Sequence, residues 1–445
     1  MPLDASRDLP DETRCDVLII GGGPAGSTAA TLLAEKGRHV VMLEKDRHPR
    51  FHIGESLLPL NLRIFHRLGV SDRIAAIGVH KPGARFVSDE HGKHTAFSFA
   101  EGLNPDFTYS YQVRRSEFDE ALFARAREAG ADAREGVRVL DVALDARGGH
   151  RVTARAEDGA MLHFRPRFLM DCSGRDTFLA TAMGTKARNP HNNTAAIYGH
   201  FRGVAPFGEE EDGNITVHLF DEGWFWMIPL TGGVMSIGVV SNPAFFKRRR
   251  GSVEAFFLST LKSVPSVARR IARAELISEV TTTGNYSYAA KVMQGDGWLM
   301  AGDAYAFIDP VFSSGVLLAM ASAEMGSEVA DTWLDDPARA AAMARTFERK
   351  VKRAIGSLSW LIYRINTPVL RDMFMWPSNR FNMKRGLISL LAGDVHAHPD
   401  RQVPVLAFKA AYRALTIARR FGYRLGPDGL VRMPRAPAPA PATAG

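Results

Sequence analysis

Three closely spaced glycines near the N-terminus are the first indication of a binding site. Gly21, Gly23 and Gly26 follow a short apolar run and open a helix-forming stretch, with Ala25 inside the turn. The first glycine permits a tight turn, the second lets the backbone approach a pyrophosphate, and the third lets helix and strand pack closely. Glu44 ends the next apolar run, where an acid accepts hydrogen bonds from a ribose. The pattern predicts a dinucleotide bound at the amides of the helix N-terminus.

Three further sites along the chain bear on which dinucleotide is bound. The segment 171–176 resembles the flavoprotein segment that returns the chain to the nucleotide. Asp303, after Gly302, resembles the aspartate that contacts the flavin ribityl chain. Arg115 matches a position that contacts the cofactor in the same group of proteins, although a surface arginine at a helix start is the alternative. Together these features resemble the FAD-dependent aromatic hydroxylases and halogenases, and the resemblance implies FAD as the cofactor.

A tryptophan-rich motif narrows the resemblance. Trp224, Trp226, Ile228 and Pro229 match W-x-W-x-I-P, a motif that resembles flavin-dependent halogenases more closely than hydroxylases. The alternative is a strand with bulky residues on one face, since these side chains alternate with period two. In the family, the indoles are thought to separate the flavin from the organic substrate. The resemblance therefore implies that these four residues form a partition.

A second motif lies between residues 307 and 315. Phe307, Pro310, Ser313 and Gly315 match F-x-x-P-x-x-S-x-G, which resembles the halogenase segment beside the flavin, and this implies that Pro310 contacts the cofactor. Amides around Ser314 and Gly315 would suit a halide ion, because an anion in a dry site needs N–H donors and positive dipoles. A helix cap formed by Ser313 or Ser314 is the alternative, and both interpretations are compatible.

Lys81 is the candidate catalytic residue. Its segment, 79–85, resembles the one that carries the active-site lysine of the family, and it follows the halogenase-like stretch 54–59. A desolvated amine can hydrogen-bond to hypohalous acid or react with it. A lone lysine is otherwise a surface residue. The implied reaction uses reduced FAD, dioxygen and chloride or bromide to form hypohalous acid, from which Lys81 passes halogen to an electron-rich ring.

The substrate class is predicted from the C-terminal region and from one position at which this chain differs from the tryptophan-specific members of the family. Segments 366–374 and 389–394 resemble the branch that acts on phenols, pyrroles and carrier-bound acyl groups. Tryptophan-specific members have a glutamate immediately before the serine of the second motif, whereas this chain has Phe312, so free tryptophan is not the expected substrate.

A separate flavin reductase is expected, because no second glycine motif for NAD(P)H is found. No metal is expected.

Other functions remain open at this stage. An NAD(P)H-dependent FAD monooxygenase would hydroxylate its substrate regardless of halide. A flavin-dependent reductase of polyprenyl chains would have no use for Lys81. A flavin-bound, non-catalytic protein would use its C-terminal segment to dock a partner.

The elements that must position these residues predict an α/β fold. We expect a Rossmann-like FAD-binding domain of the aromatic-hydroxylase type with an inserted β-sheet substrate domain and a helical C-terminal cap. Helices are predicted at 27–36, 117–129 and 315–330, and strands at 15–20, 39–43, 136–144, 150–156 and within 194–240. The predicted boundaries are a flexible N-terminus (1–13), the FAD-binding domain (14–190 and 280–336), the substrate domain (191–279), the cap (337–435) and a disordered Pro/Ala tail (436–445).

Composition limits the remaining function classes. The 445 residues contain two cysteines, so no disulfide framework is possible and a cytoplasmic location is expected. No secretory signal pattern or transmembrane run is found. Residues 401–445 contain eight Lys or Arg and one acid, which suits an acidic partner. An acyl carrier protein contacting Arg413, Arg419 and Arg420 is favoured over nucleic acid, while a solvated helix face and a membrane-surface helix at 405–425 are the alternatives.

Overall fold

The computed structural model describes residues 12–106, 108–145, 149–189, 194–209, 212–284, 287–394 and 402–433. The predicted Pro/Ala tail and residues 1–11 of the predicted flexible N-terminus lie outside the described residues. The described strands are β1 (Glu12–Ile20), β2 (Val40–Glu44), β3 (Gly78–Lys81), β4 (Gly83–Ser88), β5 (Lys93–Ser98), β6 (Ser110–Val113), β7 (Asp132–Glu135), β8 (Val137–Ala143), β9 (Arg151–Ala156), β10 (Met161–Asp171), β11 (Lys186–Arg188), β12 (Ala195–Arg202), β13 (Ile215–Phe220), β14 (Gly223–Leu230), β15 (Val234–Ser241), β16 (Glu275–Leu276), β17 (Thr281–Thr283), β18 (Tyr288–Ala290), β19 (Gln294–Gly295), β20 (Trp298–Met300), β21 (Ala306–Phe307), β22 (Tyr423–Gly426) and β23 (Gly429–Arg432).

The helices follow the same chain order. They are α1 (Pro24–Glu35), α2 (Asn61–Leu68), α3 (Ser71–Ile77), α4 (Arg115–Glu128), α5 (Phe178–Ala182), α6 (Pro243–Lys247), α7 (Val253–Lys262), α8 (Pro265–Arg270), α9 (Gly315–Asp335), α10 (Pro337–Ile362), α11 (Pro368–Met375), α12 (Met383–Leu391) and α13 (Val403–Arg420).

The first sheet carries the predicted nucleotide turn. Its strand order is β19-β20-β10-β1-β2-β7, and β20, β10, β1, β2 and β7 run parallel. The strand β2 and the second half of β1, from Val17 to Ile20, are fully buried and almost entirely apolar, as expected for parallel strands covered on both faces. The helix α1 packs against α4 and α9. This arrangement is the predicted Rossmann-like unit.

The second sheet lies over the ends of the first. Its order is β16-β12-β15-β14-β13-β4-β5, with β17 beside β12. The strands β4 and β5 come from residues 83–98, outside the predicted substrate domain, and the helices α6 to α8 occupy part of a segment expected to be rich in strands. Apolar residues of β14 alternate between two covered faces, one packed on the cap and the other on α7 and α8. The inner face can therefore border a site while the outer face stays packed.

The C-terminal region is mainly helical, as predicted, but the helix considered as an alternative at 405–425 ends earlier. The helix α13 stops at Arg420, and a hairpin of β22 and β23 follows. Gly422 has a φ of +85°, which ends a helix readily, and Gly429 at +111° forms the turn between the strands. The helix considered as an alternative at 405–425 therefore ends five residues earlier than its proposed bound. None of the described helices is both long enough and apolar enough to cross a membrane.

Candidate active site

A cavity of about 310 Å³ lies at the carboxyl ends of β1, β2 and β10, beside β14 and the N-terminus of α9. Ligands of parallel α/β sheets bind at this edge. The predicted site residues that line it are Gly21, Gly23, Ala25, Glu44, Arg115, Trp224, Trp226, Ile228, Asp303, Pro310 and Gly315. Four other predicted residues, Gly26, Lys81, Pro229 and Ser314, are not part of the lining. The structure thus brings eleven of the fifteen predicted residues to one cavity, although they are far apart in sequence.

The glycine turn leaves the N-terminus of α1 open towards the cavity. Gly23 occupies the N-cap position of α1, and Pro24 begins the helix, where its missing N–H leaves no bond unmade. Gly26 lies behind the turn. A Cβ at Gly26 would be 1.8 Å from the carbonyl oxygen of Gly21, so any side chain would separate the helix from β1. The third glycine of the motif therefore serves packing, and the first two border the ligand space.

Glu44 is held at the end of β2 by contacts with both of its carboxylate oxygens. Its Oε2 accepts a hydrogen bond from the Gly22 amide at 2.8 Å, and its Oε1 accepts one from the Asp46 amide at 3.0 Å. The Arg50 guanidinium lies 3.3 Å from Oε2. An ionised carboxylate has about four acceptor positions, so capacity remains for ribose hydroxyls.

Arg115 and Asp303 border the middle of the cavity. Arg115 forms a two-point ion pair with Asp119, at 2.8 and 3.0 Å, and donates to the carbonyl oxygen of Ile53 at 2.8 Å. Burial would raise the pKa of Asp119, but the charge and hydrogen bonds of Arg115 hold it below its usual value. For Asp303, burial raises the pKa to about 7, against the opposing charges of Arg175 and Arg115. Because Asp303 lines the cavity, its carboxyl oxygens are placed where a polar ligand could donate hydrogen bonds to them.

The two tryptophans form an apolar wall. Trp224, Trp226 and Ile228 point from the same face of β14 into the cavity, whereas Pro229 points to the other face. The indole of Trp226 donates to the Ser236 hydroxyl at 3.2 Å. The Nε1 of Trp224 is buried and has no hydrogen-bond partner within the described part of the chain. Trp224, Trp226 and Ile228 thus form one wall of the cavity, and Pro229 is not part of it; the partition between flavin and substrate stays a prediction.

Lys81 lies behind the cavity wall and is only 1% exposed. Its amine donates to the Ser56 hydroxyl at 2.9 Å and to the Leu57 carbonyl oxygen at 2.8 Å, and lies 5.4 Å from the centre of the Phe99 ring. Among the described residues it makes no ion pair, and burial lowers the pKa of the amine to about 7. Ser56 itself lines the cavity. A single hydroxyl therefore separates the amine from the cavity.

The second motif forms a turn at the start of α9. Ser313 has a φ of +58° and lines the cavity together with Gly315. Ser314 occupies the N-cap position, but its side chain makes no capping hydrogen bond. Its hydroxyl oxygen is buried without a hydrogen-bond partner in the described residues. A buried hydroxyl at a helix N-terminus fits an anion better than it fits a cap.

Comparisons with known proteins agree with this geometry. The family described as "FAD binding domain" matches residues 14–325. The tryptophan 2-halogenase of Chondromyces crocatus is 36% identical over 323 residues, which are 71% of this chain and 60% of that protein. The 1H-pyrrole-2-carbonyl-[peptidyl-carrier protein] chlorinase of Pseudomonas fluorescens is 31% identical over 336 residues, 70% of this chain and 74% of that protein. The chain belongs to the flavin-dependent halogenase family. Its cofactor is FAD, and the open N-terminus of α1 and Glu44, which both border the cavity, fit that molecule.

The fold of this halogenase family member is similar to that of a solved relative. The myxobacterial chondrochloren halogenase superposes with a TM-score of 0.74 and 29% identity, covering 94% of this chain and all of the other. This confirms the predicted fold class. The chain spans 60% to 63% of the length of the first curated relatives that it matches.

Among the polar residues that line the cavity but were not predicted individually, Glu55 is notable for its contact with His200, which is not part of the lining. Glu55 lines the cavity, and its Oε1 lies 2.9 Å from the Nε2 of His200, while its Oε2 is buried without a partner in the described part of the chain. Glu55 belongs to the halogenase-like stretch 54–59, which gave a signal for the segment but not for the residue. His200 lies on β12, 145 residues away, and no sequence pattern links the two. Their contact joins the loop before α2 to the second sheet.

Gly238 provides a test of the tryptophan wall. It lies opposite Trp226 on β15, and a Cβ there would be 2.2 Å from the indole. We expect Gly238→Val to displace the indole towards the cavity and to weaken FAD binding about tenfold or more, measured by quenching of flavin fluorescence. Gly356→Ala is the control, because a Cβ at Gly356 meets nothing within 4 Å. Equal FAD affinity in both variants would show that Trp226 does not restrict the cofactor space.

Proposed function

We propose that this chain halogenates an electron-rich aromatic ring, a phenol or a pyrrole, with reduced FAD, dioxygen and chloride or bromide. The observation that carries the proposal is the environment of Lys81. A buried amine that has no acidic partner in the described part of the chain, and that is joined to the cavity through Ser56, is costly to maintain as a structural feature. Perturbed ionisable groups beside a cofactor site are characteristic of catalytic residues.

When bound and reduced, FAD supplies the two electrons with which dioxygen and halide form hypohalous acid. The Trp224 and Trp226 indoles keep the organic substrate away from the cofactor. The neutral amine of Lys81 then forms a nitrogen–halogen bond as the oxygen–halogen bond breaks, and water leaves with an amine proton. Transfer of the halogen to the ring returns the amine, and the ring loses a proton. Ser56 and the Leu57 carbonyl oxygen hold the amine in position for this transfer.

We assign the halide to the start of α9. The Ser314 hydroxyl is a free donor, and the amides of the first turn, including that of Gly315, add positive potential. This location lies next to the cofactor cavity, since Ser313 and Gly315 line it. The proposed position would let the halide reach the cofactor without crossing the tryptophan wall.

The proposed substrate is apolar and aromatic, free or attached to a carrier protein. Phe312 packs near Phe86 and Phe374, at centroid distances of 6.5 and 6.4 Å, and offers no carboxylate to a substrate ammonium group. One relative is named for tryptophan and another for a pyrrole on a carrier protein. The chemistry at Phe312 supports the second class. We also propose a separate flavin reductase and a cytoplasmic location, the latter supported by two buried, unpaired cysteines.

The test measures halide-dependent product formation, with mass spectrometry as the detection method. The full chain is supplied with FAD, a flavin reductase, NADH and a panel of free and carrier-linked phenols and pyrroles, with bromide, chloride or neither. We expect a product with the isotope pattern of the halogen that was added, and no product without halide. An oxygenated product that forms from NAD(P)H without the reductase and without halide would identify a monooxygenase instead.

A further inference from the structure

The outward face of α13 is apolar, although the opposite face already packs on the core. Val405 and Phe408 are buried against the rest of the cap. The residues that recur every three or four positions on the outer side are exposed and apolar; they are Val403, Leu406, Ala410, Ala414, Ile417 and Phe421. Ile417 is 56% exposed and Phe421 is 74% exposed. A helix of this kind has an apolar stripe without a partner in the described structure.

Neighbouring segments enlarge this surface. Phe381, in a turn close to α13, is 76% exposed, and Leu430, on the hairpin that follows the helix, is 57% exposed. Seven of the thirteen exposed large apolar side chains in the described parts of the chain lie between residues 381 and 430. Such clustering differs from the scattered apolar residues of an ordinary protein surface.

Positive charge borders the apolar stripe. Arg413 and Arg420 are exposed, lie seven residues apart along one edge of it, and have no ion-pair partner among the described residues. Arg424 and Arg432 are exposed on the hairpin. Between residues 402 and 433 there are six Lys or Arg and one acid. The complementary surface must therefore be anionic as well as able to accept apolar side chains.

We propose that this surface, here called the cap face, binds peripherally to an anionic lipid membrane. It consists of Val403, Leu406, Ile417, Phe421 and Leu430 with Arg413 and Arg420. A helix with large apolar side chains on one side and arginines along its edge lies at the boundary between lipid headgroups and acyl chains. The arginines contact phosphate groups while the apolar residues enter the acyl region. An acidic protein would satisfy the arginines but would also need pockets for several protruding side chains from both the helix and the hairpin.

The inference does not depend on halogenation. The cap face shares no residue with the FAD cavity, so lipid binding and catalysis can be measured separately. Membrane binding would bring lipid-soluble aromatic substrates close to the enzyme, which is a consequence of the proposal rather than its support.

The experiment is co-sedimentation of the full chain with vesicles. We expect binding to mixed phosphatidylglycerol and phosphatidylcholine vesicles to be about tenfold tighter than to pure phosphatidylcholine, and to weaken with added salt. Ile417→Glu together with Phe421→Glu should reduce binding about tenfold or more, and Arg413→Gln together with Arg420→Gln should remove the preference for anionic lipid. Met161→Glu is the control, because Met161 is half-exposed on the first sheet.

A second measurement reports directly whether the cap face inserts into the lipid bilayer. Phe421→Trp keeps an apolar ring at the position, and its fluorescence should shift to the blue and be quenched by brominated lipid. Thermal unfolding of each variant verifies that the chain is folded. Absence of binding to anionic vesicles by the folded wild type would overturn the proposal. A dimer that dissociates in Ile417→Glu, or an acidic carrier protein that binds the cap face when vesicles do not, would also overturn it and identify the alternative occupant.

Discussion

Replacing Lys81 with methionine is expected to reduce halogenated product at least a hundredfold while FAD binding and flavin oxidation by dioxygen continue. A positioned group that transfers a reacting species contributes about 10²- to 10⁴-fold to a rate. Methionine fills the same buried space without a charge, so the chain should remain folded. The measurement compares product by mass spectrometry with oxygen consumption. Lys262→Met, on the exposed side of α7, is the matched control.

The pH dependence tests the same residue. Burial lowers the pKa of the Lys81 amine to about 7, so the neutral fraction rises as pH increases through 7. If the neutral amine takes the halogen, the rate of halogen transfer should rise between pH 6 and pH 8 and then level off. Flavin oxidation should not show this rise. A transfer rate that falls over the same interval would mean that the protonated amine acts as a hydrogen-bond donor, and full activity of Lys81→Met would exclude any chemical role.

Part of the site follows from local sequence. The glycine turn, the helix after it and Glu44 lie within 24 residues, and their spacing alone determines how strand, turn, helix and strand must connect. The alternation of Trp224, Trp226 and Ile228 likewise places three side chains on one face of a strand. In the first case the predictive signal is the spacing of the glycines and Glu44, and in the second it is the two-residue period of a strand. Both are local properties of the backbone, and the tertiary structure preserves them.

Other features depend on contacts between distant segments. The pair of Glu55 and His200 is formed by a loop and a strand that are 145 residues apart, and no sequence pattern links the halogenase-like stretch around Glu55 to His200. Resemblance singled out Lys81 as a candidate, but the absence of an acidic partner among the described residues is a property of the surrounding fold. The helix considered at 405–425 did not take account of the turn sequence Gly426-Pro-Asp-Gly429, which follows closely after Arg420. Gly422, in a left-handed conformation, lies where the helix ends.

Asp303→Asn should have opposite effects on the FAD-free protein and on FAD binding. In the folded chain burial raises the pKa of Asp303 from 3.8 to about 7, whereas in the unfolded chain it returns to the ordinary value. Between these values the folded state holds more protons, so the free energy of unfolding falls as pH rises from about 4 to 7 and stays low above 7. Asparagine removes this effect. We expect the variant to be more stable than wild type at pH 8, on the order of 2 kcal/mol after allowance for solvent access through the cavity, and equally stable near pH 4.

The same substitution should weaken FAD binding about tenfold or more, because a carboxylate accepts hydrogen bonds from ribityl hydroxyls more strongly than an amide does. Denaturant unfolding of the FAD-free protein at pH 4.5 and pH 8 measures the first effect, and flavin titration measures the second. Asp428→Asn, in the exposed hairpin turn, should change neither. A variant that gains no stability at pH 8 would show that the Asp303 carboxylate is well solvated in the FAD-free protein. Unchanged FAD affinity would place the ribityl chain away from Asp303, and the cofactor would then have to follow a different path between Glu44 and the tryptophan wall.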